Sequence, residues 1–468
     1  MRRLPFSRPS FSRPSFSRPG PLAVVTAVVP TVAICAALLA DADVQVDPVD
    51  RAPSEVPLAR SVLVCPTGNE AGGVFVASDA VEAGGTGEVQ VVAGGRASEP
   101  RTVEVTPDRR VELADATRVS GAGATAPGLV VQRWSTPGLR AVDCPATSSD
   151  QWFTGVGAGA EHTSVLELHN PDAGPATATI TVLGQSGPVG AGGRLRGVSV
   201  AGGATVRLDL GAEIPKREEL ALRVTTERGR LAATVIDAFV PIGRGATTKE
   251  YLSGQREPAT SQLLLGVPDG VDDPEVVVAN TSDSVSRVSL RLVTAEATFT
   301  PADLEEVLVD PASVRRFSIT KLLRSEVAEG LLGIEVVSSQ PATSSFRGWV
   351  RGDLLSIVPS GVVTEPTLVP VAYPGSRLVL GGAQALGTVD VIAYDGQGRE
   401  VSSKTVEIGP EAAVEVKVPG RAALLRVVPQ GTPVAGSLVL GNGDGAAVVG
   451  LRELLREGLV PDVRPGLR

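Results

Sequence analysis

Leu166-Glu167-Leu168-His169-Asn170-Pro171-Asp172 reads as a strand running into a polar turn, and Val276-Val277-Val278-Ala279-Asn280-Thr281-Ser282 repeats it about a hundred residues later. Each copy runs as a strand up to an asparagine, whose side chain hydrogen-bonds its own backbone and ends the strand. The repeat extends downstream. Ala178-Ile180-Val182 is answered by Val288-Leu290-Leu292, and Val206-Leu208-Leu210 by Val314-Phe317-Ile319. Leu222-Val224 is answered by Ile334-Val336, and the aromatic closing strand Val235-Asp237-Phe239 by Ser345-Arg347-Trp349. Val130-Gln132-Trp134 fits the closing position of an earlier copy, and a last copy begins near Tyr373. In that copy Val389-Ile392-Tyr394 leads into the hairpin loop Asp395-Gly396-Gln397-Gly398.

Strands at roughly ten-residue spacing, with no sustained helical period, predict an all-β chain of tandem immunoglobulin-like β-sandwich domains. The divisions fall at 61–143, 144–258, 259–368 and 369–458, with a tail at 459–468. Helical signals are short. Thr300 and Pro301 open a capped turn over 301–309, and Leu451, Leu454 and Leu455 line one face of another.

Upstream, residues 21–40 carry no charge and are long enough as a helix to reach about 30 Å, the hydrocarbon thickness of a bilayer. Five arginines and no acid precede them, so the positive-inside rule predicts a single-pass transmembrane segment with a cytoplasmic N-terminus. The remainder is then extracytoplasmic. Ala40-Asp41-Ala42 also resembles a signal-peptidase site, and cleavage after Ala42 would release a secreted chain. Residues 1–20 repeat Phe-Ser-Arg-Pro and read as a disordered basic tail, with a linker over 41–60.

The chain has 468 residues and a net charge of -9; since the first twenty residues carry +5, the rest carries -14. That surface repels phosphate backbones and argues against nucleic-acid binding. Aromatic residues make up only 3%, so each one is informative. Trp152-Phe153, adjacent in a glycine-rich approach, are the candidate ligand-binding pair: an exposed aromatic face can stack on a sugar or anchor a protein. The competing reading has Trp152 covering the joint between the first two domains.

Cys65 and Cys144 are the cysteines outside the apolar segment; in an oxidising compartment such thiols pair, the alternative being free or intermolecular thiols. His162 and His169 are the only histidines, and an odd offset on one strand puts them on opposite faces, so they share no metal. His169 is expected to face solvent. Ser318-Ile319-Thr320-Lys321 lacks the partners of an acyl-enzyme motif. Gly155-x-Gly157 with Gly159 precedes a strand rather than a helix, leaving no helix N-terminus for a phosphate. Arg351-Gly352-Asp353 spells an adhesion tripeptide from three common residues. No catalytic residue, metal or cofactor is predicted.

Cys65-Pro66, Cys144-Pro145, Trp152-Phe153-x-Gly155 and Ser164-x-Leu166-x-Leu168-x-Asn170-Pro171 together resemble an actinobacterial family of envelope proteins known only as a domain of unknown function. The resemblance implies an anchored or secreted location and a Cys65–Cys144 disulfide, with no activity attached. The expectation is a non-enzymatic extracytoplasmic scaffold or protein-binding module of the cell envelope, partnered by envelope proteins. The alternatives are a wall-glycan binder using Trp152 and Phe153, and a glycoside hydrolase of unrecognised type.

Overall fold

The computed structural model describes residues 54–460 apart from 69–70, 80–84, 94–98, 191, 241–245, 303, 442 and 444. Residues 55–458 form one compact unit. Among the described residues strands take up 58% and helix 4%, in keeping with the valine, threonine and turn-residue content of the chain.

Four β-rich blades follow one another, over residues 60–143 (I), 150–252 (II), 259–357 (III) and 362–450 (IV). The last strand of each blade is innermost: Arg140–Asp143, Thr248–Leu252, Asp353–Ile357 and Ala446–Gly450. Each packs on the next in cyclic order, and the fourth packs on the first. The chain therefore closes as a four-bladed β-propeller. This corrects the expected row of tandem immunoglobulin-like β-sandwiches. Alternation along a segment identifies a strand and its buried face, whereas the ring depends on contacts between strands hundreds of residues apart.

Sheet continuity departs from the expected domains as well. In blade III the separate strands expected at Ile334-Val336 and Ser345-Arg347-Trp349 are one 18-residue strand, Gly333–Val350. It pairs with Ala259–Leu265 and Ser286–Val293 along its first part, and with Asp272–Asn280 and Asp353–Ile357 along its second, building an eight-stranded sheet. In blade II the two stay separate, Arg217–Arg228 lying between Asp150–Ala158 and Ala176–Gly184 and Ala232–Phe239 pairing with His162–His169, within one nine-stranded sheet. Blades I and IV each divide their strands between two sheets. The expected helix at 301–309 is not formed, since Val307–Val309 is a strand paired with Ser286–Val293. Residues 451–456 are a non-helical strap, where Gly128 N donates to Leu455 O and Leu58 N to Arg456 O.

The joints differ in chemistry. Blades III and IV meet through Leu265, Val293 and Leu332 against Val379, Ala435 and Val439. Blades IV and I meet through Leu368, Leu424 and Leu454 against Ala77 and Val130. Gly155 shows what close approach requires at the joint of II and III: its φ is +87°, and a Cβ there would lie 2.6 Å from Ser345 Oγ.

No helix among the described residues is long and apolar enough to cross a membrane. The single-pass anchor and the location built on it are corrected accordingly. The expected span at 21–40, the tail at 1–20 and the cleavage site after Ala42 lie outside the described residues. Twenty uncharged residues satisfy a length criterion, which is a weaker statement than a helix formed in place.

Candidate functional site: a central cavity

The four inner strands share a direction about the axis. At their upstream ends Asp353 Oδ2 accepts from Leu139 N at 2.8 Å, and a Cβ on either Gly138 or Gly445 would strike the Asp353 carboxylate. At their downstream ends lies a cavity of about 1190 Å³. Its walls come largely from the segments that leave each blade: residues 143–149, 253–257, 358–362 and 450–455. These linkers carry the Pro, Ser and Gly that mark domain boundaries in the sequence, and the ring brings them together.

The upstream end is closed by buried charge. Arg140, Glu250 and Asp353 are all buried there, with the Arg140 guanidinium 5.5 Å over the Tyr251 ring and the Tyr251 hydroxyl 3.2 Å from Ser135 Oγ. Burial raises the Glu250 pKa well above the ordinary carboxylate range, and Asp353 adds to it, against the Tyr251 N–H bond and Arg140. Asp353, last of the adhesion-like tripeptide, is thus an interior residue, and Arg351-Gly352 is a two-residue hairpin turn with both φ positive.

Two arginines that line the cavity are already matched by carboxylates. Arg291 Nη1 lies 2.7 Å from Glu335 Oε2, and Nη2 lies 3.1 Å from Glu411 Oε1 of blade IV. Burial works against this cation, but Glu411 and Glu335 outweigh it and raise its pKa. Arg452 Nε lies 2.7 Å from Asp143 Oδ2, joining the strap after blade IV to blade I. Burial lowers the Arg452 pKa to about 10, yet 40% of its side-chain surface stays accessible, so the ion pair governs its state at neutral pH. The Glu453 carboxylate accepts from Thr364 N at 2.8 Å, Thr364 Oγ1 at 3.0 Å and Glu365 N at 3.1 Å.

Two polar atoms in the lining are unmatched. Gln255 and Gln262 are each 7% exposed, and neither Gln255 Nε2 nor Gln262 Oε1 has a hydrogen-bond partner. Gln255 is held by its backbone, which exchanges two 2.8 Å hydrogen bonds with Trp152, and by Oε1 accepting from Ser344 N at 3.4 Å. Gln262 sits in Ala259–Leu265, opposite Val336. A buried amide group left without a partner costs about 1–3 kcal/mol, and both atoms are closed off from solvent.

The residues singled out from sequence lie elsewhere. Phe153 is fully buried in the core of blade II. Trp152, 5% exposed, packs with Leu183 and Ala221 against Val277, Ala279 and Val314 of blade III. The pair has no open ring face, so it is not the exposed ligand-binding platform anticipated. Trp152 covers a joint, but that of blades II and III rather than the first two. An aromatic dipeptide on a strand points to opposite faces, and here both faces are interior.

His162 and His169 share the strand His162–His169 and face opposite ways, but both are buried, which corrects the solvent-facing His169. His169 Nδ1 lies 2.7 Å from Thr205 Oγ1; burial first, and the Arg118 cation second, push its pKa down to about 4. His162 Nε2 lies 2.9 Å from Asp237 Oδ1, and its ring stacks on Phe239 at 4.2 Å. Ser164 Oγ donates to the same Asp237 carboxylate, so the carboxylate stands between serine and histidine and the hydroxyl is not paired with the imidazole as in a nucleophile–histidine arrangement. Gly157 is small because a Cβ would meet the His162 ring at 2.4 Å, which replaces the loop reading of that glycine run. Cys65 and Cys144 form a disulfide, fastening the first linker and its stretch of cavity wall to blade I.

The cavity itself has no local signature in the sequence. Gln255 and Gln262 stand in a segment that reads as a boundary and the start of a strand, and only four converging linkers give them a common space. No curated protein matches the chain. Residues 105–419, from the strand Arg101–Val105 of blade I into blade IV, match the DUF5719 family of unknown function, and the chain belongs to that family.

Proposed function

We propose that this protein is a non-enzymatic binding module, a rigid ring whose ligand is held in the central cavity. The observation that carries the reading is the cavity of about 1190 Å³ on which the four segments leaving the blades converge. The hydrolase alternative needs a carboxyl group that keeps its proton at neutral pH beside an ionised one. Glu335, Glu411 and Asp143 are each already committed to an arginine, and Glu453 to three hydrogen-bond donors. The glycan-binder alternative loses its platform with the burial of Trp152 and Phe153.

Ligand-observed NMR of the full chain against a mixed library of peptide and saccharide fragments tests the proposal. Thr147→Trp fills the cavity from a linker rather than a strand. Fragments that bind the natural chain and lose contact with the variant are expected. Hits indifferent to Thr147→Trp, or turnover of any fragment, would overturn it.

A further inference from the structure

We infer that the cavity takes an organic anion, its carboxylate or phosphate head on Arg452 and its aliphatic body on Val362 and Leu455; this rests on the binding reading above. Arg291, Arg347 and Arg426, which tie blades together, each hold two carboxylates. Arg452, which ties the strap to blade I, holds one. Its Nε donates to Asp143 Oδ2 at 2.7 Å, while Nη1 and Nη2 have no hydrogen-bond partner among the described residues and are open to water. A guanidinium carries five N–H donors in a planar fork that matches carboxylate and phosphate oxygens. Arg452 thus brings free donors to the cavity wall.

The apolar part lies beside it. Gly361 N donates to Leu451 O at 3.2 Å and Thr364 N to the Glu453 carboxylate at 2.8 Å, so residues 361–364 run alongside the strap and bring Val362 next to Arg452. Val362 is 54% exposed, Leu455, three residues past Arg452, is 39% exposed, and both line the cavity. Aliphatic side chains open to water beside a cation with free donors suit an amphiphile better than a fully hydrated ion. The rest of the lining opposes other classes. Asp143, Glu335, Glu411 and Glu453 are committed, and exposed Glu257 adjoins exposed Arg256, so a cationic ligand finds no carboxylate to itself. A sugar ring is ordinarily held by an aromatic face, and among the described lining residues none is aromatic. A charge of -14 outside the first twenty residues repels polyanions, which leaves a single anionic head.

Calorimetry on the full chain tests this with octanoate and octyl phosphate. Octanamide supplies the body without the charge, and acetate and inorganic phosphate supply the charge without the body. Octanoate, octyl phosphate or both are expected to bind roughly tenfold or more tightly than the other three, and less tightly as salt is raised. The tighter of the two identifies the head. Arg452→Gln should weaken binding by roughly tenfold or more, the loss of a charge-assisted hydrogen bond. Because that variant leaves Asp143 alone, Val362→Glu is the second: it changes an exposed side chain, sets a carboxylate beside Arg452 and should abolish binding of both anions. Anion binding that neither variant weakens would overturn the inference. Octanamide bound as tightly as octanoate, or peptide and saccharide fragments bound where neither anion is, would overturn it while sparing the cavity as a binding site. Failure of all five probes and of the fragments to bind would overturn it together with the binding reading.

Discussion

Between blades II and III, Arg347 lies buried with Nη2 2.6 Å from Glu219 and 2.7 Å from Glu275; between blades IV and I, Arg426 lies 2.7 Å from Asp79 and 3.0 Å from Asp108. Each arginine bridges two carboxylates, Arg347 through Nη2 alone and Arg426 through Nη1 and Nη2. Their surroundings differ. The Arg347 side chain is 3% exposed, under Phe239 at 4.8 Å and beside His162, whereas Arg426 and its neighbour Arg456, which also pairs with Asp79, keep about a quarter of their side chains in contact with solvent. Glu219 and Glu275 outweigh burial and raise the Arg347 pKa.

The difference follows from what each joint connects. Blades II and III are neighbours in the chain, and their charged residues are covered by sheets already in place. The IV–I joint brings together positions such as Asp108 and Arg426, 318 residues apart, at the rim of the ring. A desolvated ion pair adds little net stability compared with an apolar isostere, but it punishes every arrangement that leaves one charge alone. Arg347 thus selects one docking of III on II. Arg426 and Arg456 close a ring whose apolar contacts, Leu368, Leu424 and Leu454 on Ala77 and Val130, contribute the hydrophobic part.

Arg347→Met would break the first joint and carries the largest expected effect. It leaves Glu219 and Glu275 with no guanidinium closer than that of Arg316, 3.5 Å from each, and a loss of roughly 3 kcal/mol in urea denaturation is expected. Adding Glu219→Gln and Glu275→Gln to the same chain should recover part of the loss. A cost under about 1 kcal/mol would show that the network is not desolvated as its burial implies.

The I–II joint offers an intermediate case through His169. Its folded pKa of about 4 lies below the unfolded value near 6.5, so the neutral ring contributes stability that is present above that unfolded value and is lost as pH falls through the interval to about 4. The contribution is on the order of 3 kcal/mol. His169→Gln should flatten the fall in stability between pH 6.5 and 4 relative to the natural chain, read from denaturation midpoints across that range. Parallel curves for the two proteins would place the acid sensitivity in other groups.

The smallest effect is expected at the ring closure. Arg426→Ala should cost roughly 1–2 kcal/mol, because Arg456 still pairs with Asp79 and Asp108 is open to water, and the difference should shrink as salt is raised. Hydrogen exchange in Ala71–Ser78 and Leu424–Gln430 should quicken while blade II is unchanged. A loss as large as that of Arg347→Met would mean that closure, rather than neighbour docking, limits stability.

Sequence legibility tracks the range of the interaction. Asn170 Nδ2 donates to Gly174 O and Val200 O while its Oδ1 accepts from Asp172 N; Asn280 repeats this with Ser284 O, Val309 O and Ser282 N. An asparagine folding back on its own turn acts over a few residues, so the repeat could be read from residues alone. The matched closing strands meet as well, for Phe239 and Trp349, placed in register by the repeat, contact edge to face across the II–III joint at 5.1 Å. Trp152 shows the limit. Composition and spacing mark it as unusual, but whether it faces a ligand or a neighbouring blade depends on Val277, Ala279 and Val314, more than a hundred residues away.

Local order was therefore decided by the chain itself: where the strands run, where asparagine and glycine end them, and which residues alternate inward, because these rest on backbone geometry and burial within a few positions. The ring, the burial of Trp152 and Phe153, and the cavity holding Gln255 and Gln262 were decided by tertiary structure. Four linkers can enclose a space only after the fourth blade has met the first, and that contact is a packing free energy between distant segments, with no local pattern to announce it.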